Sequence, residues 1–426
     1  MASRPHADLV ADLFRHEYGR MVAGLVRVFG TDRLDLAEDV VQEALLRALR
    51  TWPVEGVPER PDAWVFKVAR NLALDAMRRR KLATRVEDEL VRWAESKPPV
   101  AHPVEPLEGI ADDTLRMMFT CCHPAVPVET RVPLVLKTVG GFGVSEIAAA
   151  LLTKEGTIAQ RLSRGRAKLA EEGVSFDVPP PHELPERLPL VLDVLYLMFN
   201  EGYRAHRGED LVRKDIVFEA VRLAQHLLDL EATARPEVHA LLALMLMLGA
   251  RLPSRTDALG EILTLAEQDR SIWDRRWLNA GFWHFRRSIG GDSLGIWHVE
   301  AAIASIHAAA ERYEDTNWVA LLREYDRRLA LADSPIVRLN RAVALAKVHG
   351  LDVALAELAR LEDVPSLHGY FLLPATIAHF LWHKGEHARA AEQFFAALRL
   401  PSSEPESRLL VRRLEACRRG DAPPRW

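Results

Sequence analysis

The chain has few cysteines: three among 426 residues, with Cys121 and Cys122 adjacent and Cys417 near the end. Such a set builds no disulfide framework and suits a reducing compartment. Long apolar runs are also scarce. The longest strongly apolar stretch, Ala240–Ala250, has 11 residues, too few to cross a bilayer. The opening MASRPHADLV carries no apolar core of a signal peptide. A cytoplasmic location with no membrane partner is therefore expected. Neither sign of charge dominates, with 56 Lys+Arg against 60 Asp+Glu, which leaves room for local basic faces. GxxxxGK[ST], GxSxG and HExxH are all missing, so an enzyme is not expected, and neither is a cofactor.

What is there is helical. No period-two alternation bounded by hairpin turns is sustained, whereas apolar residues recur at spacings of three and four in segment after segment. Breakers cluster at Trp52–Pro61, Lys97–Pro106 and Val178–Pro185. Between the first helical units, Leu82–Asp112 mixes Glu, Arg, Pro and Val without period and reads as a linker. The expectation is an all-α protein. A domain over 1–85, a linker over 86–111 and a second small domain over 112–178 precede a larger helical, repeat-like domain over 179–426.

Three segments carry the functional signal. In DLAEDVVQEALLRALRTW (Asp35–Trp52), Leu36, Val40, Val41, Ala44, Leu45 and Ala48 form an apolar stripe, and Asp39, Glu43 and Arg47 fall opposite at steps of four. Asp35 with Glu38 resembles a capping box. The polar face is either solvated and internally paired or a docking surface for a basic partner. In PDAWVFKVARNLALDAMRRRK (Pro61–Lys81), the apolar stripe is Val65, Val68, Ala69, Leu72 and Ala76. Lys67, Asn71, Asp75 and Arg79 follow another face, with Arg70 and Arg78 beside it. Cations there suit phosphates, and the amide and carboxylate suit base edges. Trp52, Trp64 and Phe66 near its entrance suit stacking on unpaired bases, with core packing as the alternative for Trp64 and Phe66.

The third segment, Gly140–Leu169, has a helix-turn-helix pattern. Ile147, Ala148, Leu151 and Leu152 supply the first helix, and Thr153 is placed to cap the second. Ile158, Leu162, Arg166 and Leu169 form its inward stripe, broken by one cation; Thr157, Arg161, Arg164 and Lys168 line the other side. Five cations (Lys154, Arg161, Arg164, Arg166, Lys168) face one acid, Glu155, as a helix entering a major groove requires. Gln160 suits adenine and Arg161 guanine.

In this order and spacing, AEDVVQEALLRAL, PDAWVFKVARNLALDAMRRRK and EIAAALLTKEGTIAQRLSRGRAKL resemble the extracytoplasmic-function sigma factors of bacterial RNA polymerase, over residues 8–175. The resemblance implies core RNA polymerase and promoter DNA as partners. It places Asp39, Gln42, Glu43 and Arg47 on a polymerase-binding helix. Lys67, Arg70, Asn71, Asp75, Arg78 and Arg79 fall on a helix that reads and melts the −10 element, and the loop Trp52–Glu59 where a flipped base is captured. Thr157, Gln160, Arg161, Ser163, Arg164 and Lys168 fall on a helix that reads the −35 element.

The chain continues well past the length of that family's short form. DVLYLMFNEGYRAH (Asp193–His206) and FTCCHPAVPVETRVPL (Phe119–Leu134) resemble a subgroup with a large helical C-terminal domain. Leu339/Leu373, Ala344/Ala378 and Ala356/Ala390 are each 34 apart, the tetratricopeptide period, and Gly385, Phe394, Ala397 and Pro401 fall at its small, aromatic and closing positions. Such stacks bind proteins or peptides, which suggests control by this domain, against a rigid scaffold. His379, His383 and His387 stand at steps of four, but Gly385 interrupts them, and Cys121-Cys122-His123 lacks a second ligand pair, so no metal is expected. The stretch WDRRWLNAGFWHF (Trp273–Phe285) reads as core packing. The alternative reading is a free-standing helix-turn-helix regulator with a ligand- or protein-sensing helical domain.

Overall fold

The computed structural model describes residues 4–80, 112–151, 153–176, 179–204, 212–290 and 294–426. Among them the regular elements are helices, and extended pairing is confined to one isolated bridge, Thr256–Ile262. The protein is all-α. The linker expected over 86–111 lies outside the described residues. Two compact units divide the chain: Met1–Met198 with Phe218–Thr233, and Phe199–Val217 with Ala234–Trp426.

The first unit begins with α1 (Arg4–Phe29), α2 (Leu34–Glu55) and α3 (Pro61–Arg80), followed by α4 (Asp113–Cys121), α5 (Val128–Thr138), α6 (Val144–Ala150) and α7 (Glu155–Glu171). On α2 the buried stripe runs Ala37, Val40, Val41, Ala44, Leu45, Ala48, Trp52, close to the pattern in the sequence. On α3 it is rotated from the expected one, to Val65, Ala69, Ala73, Leu74 and Met77. Caps differ too. The residue before α2 is Arg33, without a side-chain cap bond, so Asp35 lies inside the first turn and no capping box forms. Lys154, not Thr153, precedes α7, also without a side-chain cap.

Two glycines mark close approaches. A methyl on Gly19 of α1 would lie 2.3 Å from the Val139 carbonyl oxygen, so α1 meets the end of α5 backbone to backbone. A methyl on Gly165, midway along α7, would lie 2.4 Å from Thr130 Cγ2 on α5. Gly165 thus takes the inward position between Leu162 and Leu169 that the stripe had assigned to Arg166. The chain then passes through α8 (Leu184–Tyr203) and α9 (Lys214–His226). Arg187 donates to the Phe119 carbonyl at 3.2 Å, and Arg222 pairs with Asp112 at 2.6 Å. Burial opposes ionisation of Asp112, but Arg222 and the Leu115 N–H hold its carboxyl below the usual range.

The second unit holds α10 (Pro236–Gly249), α11 (Arg275–Ser288), α12 (Ile296–Ala309), α13 (Trp318–Leu331), α14 (Pro335–His349), α15 (Leu351–Ala359), α16 (Leu372–His383), α17 (His387–Leu398) and α18 (Glu404–Arg418). By length and composition Pro236–Ser254 is apolar enough to cross a membrane, a longer stretch than the 11-residue run suggested, yet 72% of it is buried inside the protein. It is a core helix. Helices α14 to α17 fall where the two repeats are expected, with one difference. Ala356 is exposed where Ala390 is buried; Ala354 and Leu358 are the buried counterparts of Ala390 and Phe394. The first turn is the single residue Gly350, the second Lys384–Glu386, so the second helices stand in shifted register.

Gly165→Ala should lower the unfolding midpoint although alanine is the better helix former by about 1 kcal/mol. Gly156→Ala, in the same helix with nothing within 4 Å, should raise it. Urea titrations of both variants would check the pair; equal shifts would mean that the α5–α7 contact is looser than described.

Candidate nucleic-acid interface

Each helix presents the polar face that its sequence spacing requires. On α2, Asp39 and Arg47 are exposed and Gln42 and Glu43 half-buried; Glu43 and Arg47 pair at 3.2 Å across one turn. Around them lies an apolar surface that the periodicity did not single out: Leu46 is 47% exposed, Leu49 38%, Val54 85% and Val57 41%. Its signal in the sequence was Leu46 and Leu49 falling outside the inward stripe.

On α3, Lys67, Asn71, Asp75, Arg78 and Arg79 are exposed and Arg70 is half-buried. Asp75 pairs with Arg78 at 3.3 Å. The aromatic entrance is only partly available. Trp52 is 1% exposed and packs edge-on to Trp64, with ring centroids 5.5 Å apart, so it is core and cannot stack on a base; Trp64 and Phe66 remain half-buried. The loop expected over Trp52–Glu59 is shorter, because α2 continues to Glu55 and the chain turns at Gly56 with φ +89°.

The helix-turn-helix consists of α6 and α7. Ile147 and Ala148 are buried, and the Glu146 carboxylate accepts the Gly143 N–H at 2.6 Å, holding the start of α6. On α7, Ile158, Leu162 and Leu169 point inward. Gln160, Ser163 and Arg164 are exposed; Thr157, Arg161 and Lys168 are half-buried. Arg164 approaches Glu129 at 3.5 Å and Lys168 pairs with Glu171 at 2.8 Å, while Lys154 stands exposed before the helix.

Arg166 has a different task. Its guanidinium meets Asp35 at 2.7 Å and Glu38 at 2.5 Å, both on α2. Glu38 is 3% exposed and also accepts from the Thr138 hydroxyl at 3.1 Å. Burial raises the Glu38 carboxyl above its ordinary range, and Arg166 works against that rise. The Thr31 hydroxyl, just before α2, donates to the Val174 carbonyl just after α7. The α1–α3 bundle and the α4–α7 bundle are thereby joined through the helix that carries the expected −35-reading residues. Sequence reasoning missed this, although a lone cation inside an apolar stripe was its signal.

The cysteines offer no thiolate. Cys121 and Cys122 are buried and free, and burial pushes Cys122 up to about 12 and Cys121 well above its usual value. His379 and His383 lie near each other at the end of α16, while His387 opens α17 and faces the Cys417 carbonyl. Among the described residues no group of three or more His, Cys, Asp or Glu could hold a metal ion.

Two helical bundles, one ending in a helix-turn-helix and each exposing a cationic helix face, define a class of DNA-binding transcription factors. Comparison with known proteins narrows it. Residues 14–83 match Sigma-70 region 2 and residues 116–169 match Sigma-70 region 4. The ECF RNA polymerase sigma factor SigL of Mycobacterium tuberculosis is 31% identical over 33% of this chain and 77% of its own length. SigE of Mycolicibacterium smegmatis, another ECF RNA polymerase sigma factor, is 31% identical over 32% of this chain; the match spans about half of that relative, 51%. The chain belongs to the ECF sigma factors of the sigma-70 family. Residues 187–289 match a family of unknown function (DUF6596), and an uncharacterized protein of Rhizobium meliloti is 36% identical over 92% of both chains. No solved structure matches.

Arg166→Ala should strand the Glu38 carboxylate in the interior and cost the first unit about 3 kcal/mol of stability. The Glu38→Gln/Arg166→Met pair should restore most of that loss. Chemical denaturation of the single and double variants measures the difference, and an unrestored double variant would refute ion pairing as the source.

Proposed function

We propose that this protein directs promoter-specific initiation by binding core RNA polymerase through residues 1–85 and recognising two separated promoter elements. The polymerase-facing surface is Asp39, Gln42, Glu43 and Arg47 on α2, extended by the exposed Leu46 and Leu49. Apolar residues beside charged ones are the composition of a docking surface, with the charges setting orientation. Lys67, Arg70, Asn71, Asp75, Arg78 and Arg79 contact the −10 element. Thr157, Gln160, Arg161, Ser163, Arg164 and Lys168 contact the −35 element from a domain over 112–178. Residues 179–426 control the activity, with a protein or peptide as partner.

The observation that carries this reading is the pair of cationic helix faces, on α3 and α7, left exposed while the opposite faces are buried. The contact between Arg166 and Glu38 adds a condition. Engaging two separated elements draws the bundles apart, so the ion pair at Glu38 opens first, and the free energy of opening is subtracted from promoter affinity.

The test is transcription from purified components. Core polymerase with this protein should initiate at a promoter carrying both elements, and core polymerase alone should not. Glu43→Arg or Arg47→Glu should weaken polymerase binding about tenfold or more without changing the melting temperature. Polymerase binding that survives both reversals would overturn the assigned face. Failure to associate with polymerase at all, with tight binding to duplex DNA by the free chain, would favour the free-standing regulator instead.

A further inference from the structure

The tryptophan-rich stretch expected to be core is only half so. Trp273 is buried at 3% exposure, but Trp283 on α11 is 43% exposed. Asp274 starts this helix by accepting the Arg276 and Trp277 N–H groups, at 2.8 and 3.1 Å. Leu278, Gly281, His284 and Ser288 face inward, and Gly281 brings the helix against Met247 of α10. The opposite side carries Arg275, Arg276, Asn279, Trp283, Arg286 and Arg287, all exposed. The helix contains no acidic residue.

What separates this face from the rest of the second unit, among the described residues, is the lack of carboxylates. Elsewhere in the unit, arginines mostly have acidic partners. Arg338 pairs with Asp333 at 2.6 Å, Arg341 with Asp326 at 2.7 Å, Arg312 with Asp315 at 3.0 Å and Arg408 with Glu261 at 2.8 Å. Among the described residues none of the four arginines on α11 has an ion pair. Arg287 instead lies over the Trp283 ring, 4.5 Å from its centroid. The Trp283 indole is held edge-on by His284 and His239, at 4.7 and 5.9 Å between centroids. Burial, with His239 and Arg287 beside it, pushes His284 down to about 4, so that imidazole adds no charge near neutral pH.

Spacing then favours one occupant. The pairs Arg275/Arg276 and Arg286/Arg287 are eleven residues apart, three turns of helix, so they share a face at a separation of about 16 Å. Between them lie only uncharged groups, Asn279 and Trp283. Two cationic ends with a neutral middle match two phosphate ridges on either side of a groove about 12 Å wide, given the reach of arginine side chains. We infer that the exposed face of α11 binds the backbone of double-stranded DNA without regard to sequence. This would be a further DNA contact, made by the part of the chain that matches a family of unknown function. It relies on the promoter reading only for the source of the DNA.

The experiment uses the full chain and a labelled 30-base-pair duplex of arbitrary sequence, with anisotropy titrations at several KCl concentrations. Neutralising four phosphate contacts in Arg275→Gln/Arg276→Gln/Arg286→Gln/Arg287→Gln should reduce the slope of log K against log salt by about 3 to 4. Arg286→Gln/Arg287→Gln alone should reduce it by about half as much, and this pair serves if the fourfold variant fails to fold. An unchanged slope in a folded variant overturns the inference. So does an unchanged slope combined with weaker binding to core polymerase, which would make the face a protein-docking surface. A reduced slope in a protein that cannot support transcription would leave this inference standing and remove the promoter reading.

Discussion

The ion pair between Arg166 and Glu38 is the constraint around which the first unit is arranged. A carboxylate that is 3% exposed needs a cation and hydrogen bonds, and both come from the α4–α7 bundle: Arg166 from α7 and the Thr138 hydroxyl from α5. While the bundles are closed, losing Arg166 would leave Glu38 alone in an apolar setting, which costs several kcal/mol. The same contact removes one of the five cations that the composition of α7 had assigned to DNA. The glycines follow from it. Gly19 lets α1 reach Val139, and Gly165 seats α7 against Thr130, so that the guanidinium arrives at the carboxylate.

Much of this was legible in the sequence, because periodicity reports burial directly. The inward stripe of α2 and the division of α7 into buried and exposed faces follow from apolar spacing alone. The errors arose where tertiary contacts override local preference. Asp35 and Glu38 have the spacing of a capping box, but Arg166 attracts both carboxylates, and the cap is left without a side-chain bond. Trp52 looked available for stacking because it stands beside cations; the Trp64 edge and the α2–α3 packing enclose it. The α3 stripe was misplaced by one face, since small residues such as Ala73 and Ala76 carry little hydrophobic signal to say which side is inward. In the repeats, a 34-residue period was correct for α14 and α16 and wrong for α15 and α17. No spacing rule shows that Gly350 turns the chain in one residue where Lys384–Glu386 take three.

Two interior cations of the second unit are held without a carboxylate. Arg270, 6% exposed, donates to the carbonyls of His307 and Ala310 at 2.8 and 2.9 Å and lies between the rings of Trp273 and Tyr313. Lys347 sits among Tyr313, Trp318 and Trp426 and donates to the Trp426 main-chain oxygen. At these two positions ring faces and carbonyls stand in for carboxylates. Trp283, on α11, turns an arginine-bearing ring toward solvent.

The order in which segments join the two units has a consequence for biosynthesis. Residues 218–233 complete the first unit and follow 199–217, which belong to the second. On a ribosome releasing the chain from its N-terminus, the helix-turn-helix emerges long before Arg222 is available to neutralise Asp112. The nascent DNA-binding half therefore waits, with an unpaired acid at the start of α4, until more than half of the polypeptide has been made.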